Sequence, residues 1–150
     1  MGALHKGHAQ LIKRAQENSI KQNNPVLVSI FVNPLQFGPN EDFDNYPRDL
    51  LKDCNLAREA GANAIWAPSA EEIFPKEGNI NYSIQTSFSL QDKLCGSSRP
   101  GHFAGVISVM SRLLQLVLPE ILILGEKDWQ QLLILRNLVT RLGLITKVKG

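Results

Sequence analysis

The sequence is poor in several kinds of residue, and each scarcity removes a class of function. Among its 150 residues are two cysteines, Cys54 and Cys95, far apart and in no CxxC pattern. That excludes a disulfide framework and a cysteine-built zinc site, and leaves two free, buried thiols in a reducing compartment as the expectation. Only three histidines are present, so a zinc ion at His5 and His8 would find only His102 as a further imidazole. Charge of neither sign dominates, with 16 Lys and Arg against 14 Asp and Glu and no block of like charge. A polyelectrolyte such as nucleic acid is therefore not an expected partner, and any bound anion should be small and locally held. No apolar run approaches the roughly 18 residues of a membrane span, and the first residues lack the apolar core of a signal peptide. No membrane association and a cytoplasmic location follow as expectations. Internal repeats, low-complexity segments and linkers are also missing, which predicts one domain over residues 1–150.

What is present is a hydrophobic content of 43%, enough for a chain of this length to bury roughly 68–70% of its unfolded surface. Two periodicities alternate along it. GHAQLIKRAQENS places Leu11, Ile12 and Ala15 on one helical face, and VLVSIFV reads as a strand buried on both faces. A polar loop, NPLQFGPNEDFDNY, precedes a helix in PRDLLKDCNLAREAG with Leu50, Leu51, Cys54 and Ala57 facing one way and Gly61 closing it. NAIWAP is a short strand, AEEIF a turn or two of helix, and INYSIQT a further strand. After GSSRPGHFAG comes a helix with Val106, Met110, Leu113, Leu114 and Val117 on its stripe, stopped by Pro119. ILIL is a buried strand, DWQQLLILRNLVTRLG a helix closed by Gly143, and LITKVK a last strand. This order predicts an α/β fold, a Rossmann-like open and mostly parallel sheet with helices on both faces.

Ligands of such sheets sit beyond the carboxyl ends of the strands. That rule singles out Asn33 to Gln36 after VLVSIFV, and Gly125, Glu126, Lys127 and Asp128 after ILIL. MGALHKGH opens a helix, where unpaired N–H groups and the positive end of the helix dipole favour an anion and Gly7 would let a phosphate approach the backbone. A purely structural terminus, a phosphate site and a metal site all stay open there. Lys127 could neutralise phosphate charge or belong to a solvated cluster with its neighbours. Spacing alone favours a helix capping box for Asp128 and Gln131. Asn33 and Gln36 are either ligand-binding or part of a Pro-directed turn, and Arg99 to His102 an anion nest or an ordinary loop.

MGALHKGH, SIFVNPLQFGPNEDFDNYPRD, SRPGHFAGV and GEKDWQQL, in this order and spacing, resemble the pantothenate synthetases, the pantoate–beta-alanine ligases, over essentially the whole chain. The resemblance implies a Rossmann-like nucleotidyltransferase of the HxGH group. It would join pantoate to beta-alanine through an enzyme-bound pantoyl adenylate, consuming ATP and releasing pyrophosphate and AMP. It places ATP against Met1, Gly2, Ala3, Leu4, His5, Lys6, Gly7 and His8 and against Gly125, Glu126, Lys127 and Asp128. His8 matches the histidine assigned as proton donor, His5 its phosphate-binding companion, and Lys127 the lysine on the triphosphate. Gln36 and Gln131 match the glutamines that hold pantoate, with Asn33 beside them, and Gln36 is linked to beta-alanine as well. This reverses the preference at Gln131, although a cap and a ligand can use different atoms of one amide. Mg2+ is implied on the substrate phosphates, with its protein ligands unassigned; Asp53 is a candidate contributor.

Some features depart from the family pattern. Family members have a strand before MGALHxGH, and they continue into a serine-arginine segment and a smaller C-terminal lid domain; acidic residues are common at the position of Lys6. The expectation is thus a fragment truncated at both ends, weakly active or inactive alone, whose full-length form is a homodimer. A different HxGH nucleotidyltransferase and a non-catalytic nucleotide-binding remnant remain the alternative readings.

Overall fold

The structure, a computed structural model, describes residues 2–38, 43–75 and 90–150. Met1 and the strand read in INYSIQT lie outside the described residues. The chain divides into two compact units, Met1–Val32 with Asn45–Ser69, and Asn33–Asp44 with Ala70–Gly150. Each contains a strand, a helix and a second strand parallel to the first, the connection that parallel pairing requires.

In the first unit, α1 (Lys6–Gln22) leads to β1 (Leu27–Ser29), and α2 (Leu50–Glu59) connects it to β2 (Ala64–Trp66). The strands pair in parallel with Val28 opposite Ile65. Leu4, Ile12, Val26, Val28, Ile30, Ala57 and Ala60 form the core. Within VLVSIFV, Val26, Val28 and Ile30 are buried while Leu27 is 40% exposed, so this strand alternates instead of burying both faces. The face of α2 also differs from the sequence pattern. Asp49 accepts from the Lys52 amide at 3.0 Å, so the helix begins at Leu50 and its first turn leaves Leu50 and Leu51 exposed. The buried stripe is Asp53, Ala57 and Ala60, at the spacing of four and three that one helical face requires. Gly61 follows with φ of 104°, the left-handed turn expected after a helix end.

In the second unit a 3-10 turn (Pro34–Gln36) is followed by two short helices, α3 (Ala70–Ile73) and α4 (Cys95–Ser98), and by α5 (His102–Val117). Next come β3 (Ile121–Ile123), a 3-10 turn (Glu126–Asp128), α6 (Trp129–Arg141) and β4 (Lys147–Lys149), with β3 parallel to β4 and Leu122 opposite Val148. The core joins Phe103, Val106, Ile107 and Leu114 of α5 to Ile134, Leu135, Leu138 and Val139 of α6. The stripe read on α5 is correct at Val106 and Leu114, but Val117 lies at the frayed end, 36% exposed, and Phe103 and Ile107 take the buried volume. Gly143 closes α6 with φ of 64°.

The fold is therefore α/β with parallel strands, hydrogen-bonded among the described residues as two parallel pairs, one in each unit. Both cysteines are free, as expected, but Cys54 is half-buried and Cys95 exposed. Among the described residues no helix is long and apolar enough to cross a membrane. Leu135 has no exposed surface, so Leu135→Ala should lower the unfolding free energy by about 2–5 kcal/mol through lost burial and a residual cavity. Urea denaturation measures this, and a loss below about 1 kcal/mol would contradict the packing described.

Candidate functional site

The HxGH segment is held by its own side chains. His5 is the N-cap of α1, and its Nδ1 accepts from the Gly7 amide at 3.0 Å. His8, three residues on, accepts from the His5 amide through Nδ1 at 3.3 Å. The two histidines thus close a reciprocal capping box, a task usually given to Ser or Thr with Glu or Gln. A ring nitrogen that accepts carries no proton, so each neutral imidazole keeps its proton on Nε2. The rings lie against each other at a tilt of 38°, with centroids 4.1 Å apart. Gly7 is needed for a reason that spacing did not suggest: a Cβ there would meet the His5 ring at 2.9 Å. Room at Gly7 is taken by imidazole.

The amides before the histidines are likewise engaged. Asp53, only 2% exposed on α2, accepts from Ala3 N at 3.0 Å and from Leu4 N at 2.6 Å. Two successive amides around one anion form a nest, and here the anion is the protein's own carboxylate. Ala3 adopts φ of 52°, a left-handed conformation that a non-glycine residue reaches at a cost of roughly 1–2 kcal/mol. The Tyr46 hydroxyl donates to Gly2 O at 3.4 Å, and the Leu4 side chain is buried in the core. Lys6 begins α1 and is exposed. Asp53, a candidate magnesium contributor by sequence, is thus a backbone anchor with both oxygens in use, and among the described residues no cluster of three metal-ligating side chains occurs.

Lys127 projects from the 3-10 turn Glu126–Asp128 with its side chain 91% exposed, and Nζ lies 3.6 Å from the Asp128 carboxylate. The capping box expected at Asp128 and Gln131 does not form. The chain enters α6 through that 3-10 turn, which leaves Asp128 at φ −98°, ψ 55° with no side-chain cap bond. Gln131 makes no side-chain hydrogen bond among the described residues, so its amide is not consumed by the helix start. Its neighbour Gln130 is 8% exposed and fully employed: Nε2 donates to Leu90 O at 2.7 Å and Lys93 O at 2.6 Å, and Oε1 accepts from Cys95 N at 3.0 Å.

Asn33 and Gln36 are brought together by the turn between them. Asn33 is 2% exposed; its Oδ1 accepts from Leu35 N at 3.2 Å, and its Nδ2 donates to Gly105 O at 3.0 Å and weakly to Gln36 Oε1 at 3.5 Å. Its amide is saturated, which makes it the fixing point of the turn. Gln36 is half-buried, and among the described residues its Nε2 makes no hydrogen bond. The turn lies flat on α5 because Gly105 has no side chain: a Cβ would stand 2.1 Å from Leu35 O.

The family model for pantoate-beta-alanine ligase matches residues 1–150, the whole chain. The chain belongs to the pantoate–beta-alanine ligase family. A bifunctional pantoate ligase/cytidylate kinase of Prochlorococcus marinus is 60% identical over 150 residues, and one of a Synechococcus strain is 58% identical. Both alignments cover 100% of this chain and 30% of the relative. The pantothenate synthetase of Thermus thermophilus matches with a TM-score of 0.89 and 46% identity, over 100% of this chain and 52% of that one. The pantoate-beta-alanine ligase of Francisella tularensis, solved with beta-gamma ATP and beta-alanine, matches with a TM-score of 0.86 and 42% identity, over 99% of this chain and 55% of that one. The chain therefore spans about a third of the length of its curated relatives and about half that of the solved ones.

Within this ligase-family chain, three residues that shape the site were not legible as such: Asp53 as an anchor, Gln130 as a clamp and His102, whose ring contacts the Gln36 backbone. The spacing of Asp53 with Ala57 and Ala60 carried the only available signal. Asp53→Ala would strand the Ala3 and Leu4 amides and should reduce stability by about 2–4 kcal/mol. At His5 the structural and chemical tasks separate. His5→Asn, a good N-cap, should keep the melting temperature near that of the parent, whereas His5→Ala should lose about 1 kcal/mol. Equal melting temperatures for both variants would refute the cap.

Proposed function

We propose that this chain carries the nucleotide-binding, Rossmann-like part of an ATP-dependent pantoate–beta-alanine ligase. The reaction runs in two steps. The carboxylate of pantoate attacks the α-phosphorus of ATP, giving pantoyl adenylate and pyrophosphate; the amine of beta-alanine then attacks the acyl carbon, releasing AMP and a proton. The observation that carries this reading is the tautomer forced on the histidines. With Nδ1 of His5 and His8 accepting backbone protons, each neutral ring carries its proton on Nε2, the tautomer that can donate to a phosphate oxygen.

The first step brings two anions together, so charge must be screened and the reactants aligned. In this reading His5 and His8 bind phosphate, with His8 supplying the proton-donating contact, and Lys127 neutralises the leaving pyrophosphate. Backbone of the Met1–His8 segment and of Gly125, Glu126 and Asp128 completes the ATP contacts. Gln36 and Gln131 hold pantoate, and Gln36 also serves beta-alanine; Asn33 acts through Gln36. The second step needs no nucleophilic Ser or Cys, since proximity and exclusion of water suffice. Magnesium belongs to this reading as an ion riding on the ATP phosphates, where it would supply further charge neutralisation. Asp53 is not assigned to it, because its oxygens already accept two amides. The full-length enzyme is proposed to be a cytoplasmic homodimer, which sedimentation and fractionation would check.

Support comes from the family match over residues 1–150 and from the Francisella tularensis ligase solved with beta-gamma ATP and beta-alanine. Pantoate-dependent exchange of labelled pyrophosphate into ATP by the full-length enzyme is the test. Lys127→Ala and His8→Ala should each slow exchange roughly a hundredfold to a thousandfold, as loss of one group on developing charge does. Exchange that is absent from the parent enzyme, or present without pantoate, would overturn the reading.

A further inference from the structure

We propose that His102 is a positioning residue for Gln36 and that Arg99 sets the tautomer that allows it to act. The inference rests on the proposed role of Gln36 toward pantoate. Arg99 Nη1 lies 3.1 Å from His102 Nε2, and His102 Nδ1 lies 2.9 Å from Gln36 O. A guanidinium can only donate, so Nε2 accepts and the ring proton is on Nδ1, from which it is donated to the Gln36 carbonyl. This is the opposite tautomer to that of His5 and His8. The contact spans 66 positions in sequence and joins the first residue of α5 to the last residue of the Pro34–Gln36 turn.

Three contacts then converge on one short turn. His102 fixes the Gln36 carbonyl, Asn33 bonds the Gln36 side chain and Gly105 O, and Gly105 lets the Leu35 carbonyl lie against α5. The first turn of α5 thus serves as a template for the backbone that bears Gln36. Arg99 and His102 are in turn placed by the segment before them. Gln130 holds Leu90, Lys93 and Cys95, and Cys95 begins α4, which ends at Ser98 beside Arg99. No atom of His102 need touch substrate for this to matter, since a shift of about 1 Å in a binding group costs up to a hundredfold.

The geometry distinguishes two amide replacements. In His102→Asn, the Nδ2 group stands where Nδ1 stood and can still donate to the Gln36 carbonyl; in His102→Gln, the amide reaches toward Arg99 instead. For the full-length enzyme, pyrophosphate exchange is measured against pantoate and ATP separately. His102→Ala and His102→Gln should raise KM for pantoate roughly tenfold while changing KM for ATP by less than about twofold, and His102→Asn should recover to within about threefold of the parent. Unchanged pantoate KM in His102→Ala, or recovery by Gln and not by Asn, would overturn the proposal. A parent enzyme without pantoate-dependent exchange would instead refute the ligase reading. Nitrogen-15 NMR then tests the relay by itself: the ring signal lost in His102→Asn should report a proton on Nδ1, and a proton on Nε2 would overturn the relay whatever the activity.

Discussion

The carboxylate of Asp53 is the constraint on which the first unit depends. Among the described residues it is the only charged group buried in that unit, and it is placed there because its oxygens meet two successive amides. A carboxylate taken out of water is tolerated only when hydrogen bonds replace its hydration. Here the replacement is backbone, so the stabilisation of the charge and the conformation of the chain become one requirement. Ala3 must turn to φ of 52° for both amides to converge, and that turn aims Leu4 into the core and His5 onto the start of α1. The proposed phosphate donors therefore inherit their position from a buried charge that bonds the backbone just before them.

Capping by histidine extends the same logic from position to protonation. An Asp cap would satisfy the Gly7 amide equally well, but an ionised carboxylate presents no donor. An imidazole satisfies the amide with one nitrogen and must then carry its proton on the other. The second unit applies this device with the opposite sign. At His102 a guanidinium occupies Nε2, and the proton is driven to Nδ1 and onto a carbonyl. All three histidines of the chain thus have their tautomers dictated by neighbours, two by backbone amides and one by Arg99.

Much of this was legible in sequence, because helices and parallel strands leave their periods in the apolar residues. Ile12, Val28, Val106 and Leu114 were placed correctly by pattern. The α2 face was misread because its two leucines are exposed in the first turn while the buried stripe carries an aspartate. Hydrophobicity finds apolar burial, and a buried charge stabilised by distant amides is legible only through its spacing with Ala57 and Ala60, not through its own polarity. The capping box at Asp128 and Gln131 was misread for a related reason. Its spacing was correct, but the 3-10 turn before α6 denies Asp128 the backbone angles that a cap requires. Spacing specifies candidates, whereas the entry angle of the chain decides which hydrogen bonds are made.

That difference also explains the division of labour between Gln130 and Gln131. They are adjacent and chemically identical, and a helix turns about 100° between them, so they cannot both enter the core. Gln130 is turned inward and spends all three of its hydrogen bonds on the segment from Leu90 to Cys95. Gln131 is half-buried, and among the described residues its amide makes no side-chain hydrogen bond, as a residue proposed to bind pantoate requires. Had Asp128 and Gln131 formed the capping box, Gln131 would have reached back to the helix start instead. The 3-10 turn that carries Lys127 is thus also what leaves Gln131 available, so one local departure from α-helical geometry serves both the proposed triphosphate lysine and the proposed pantoate glutamine.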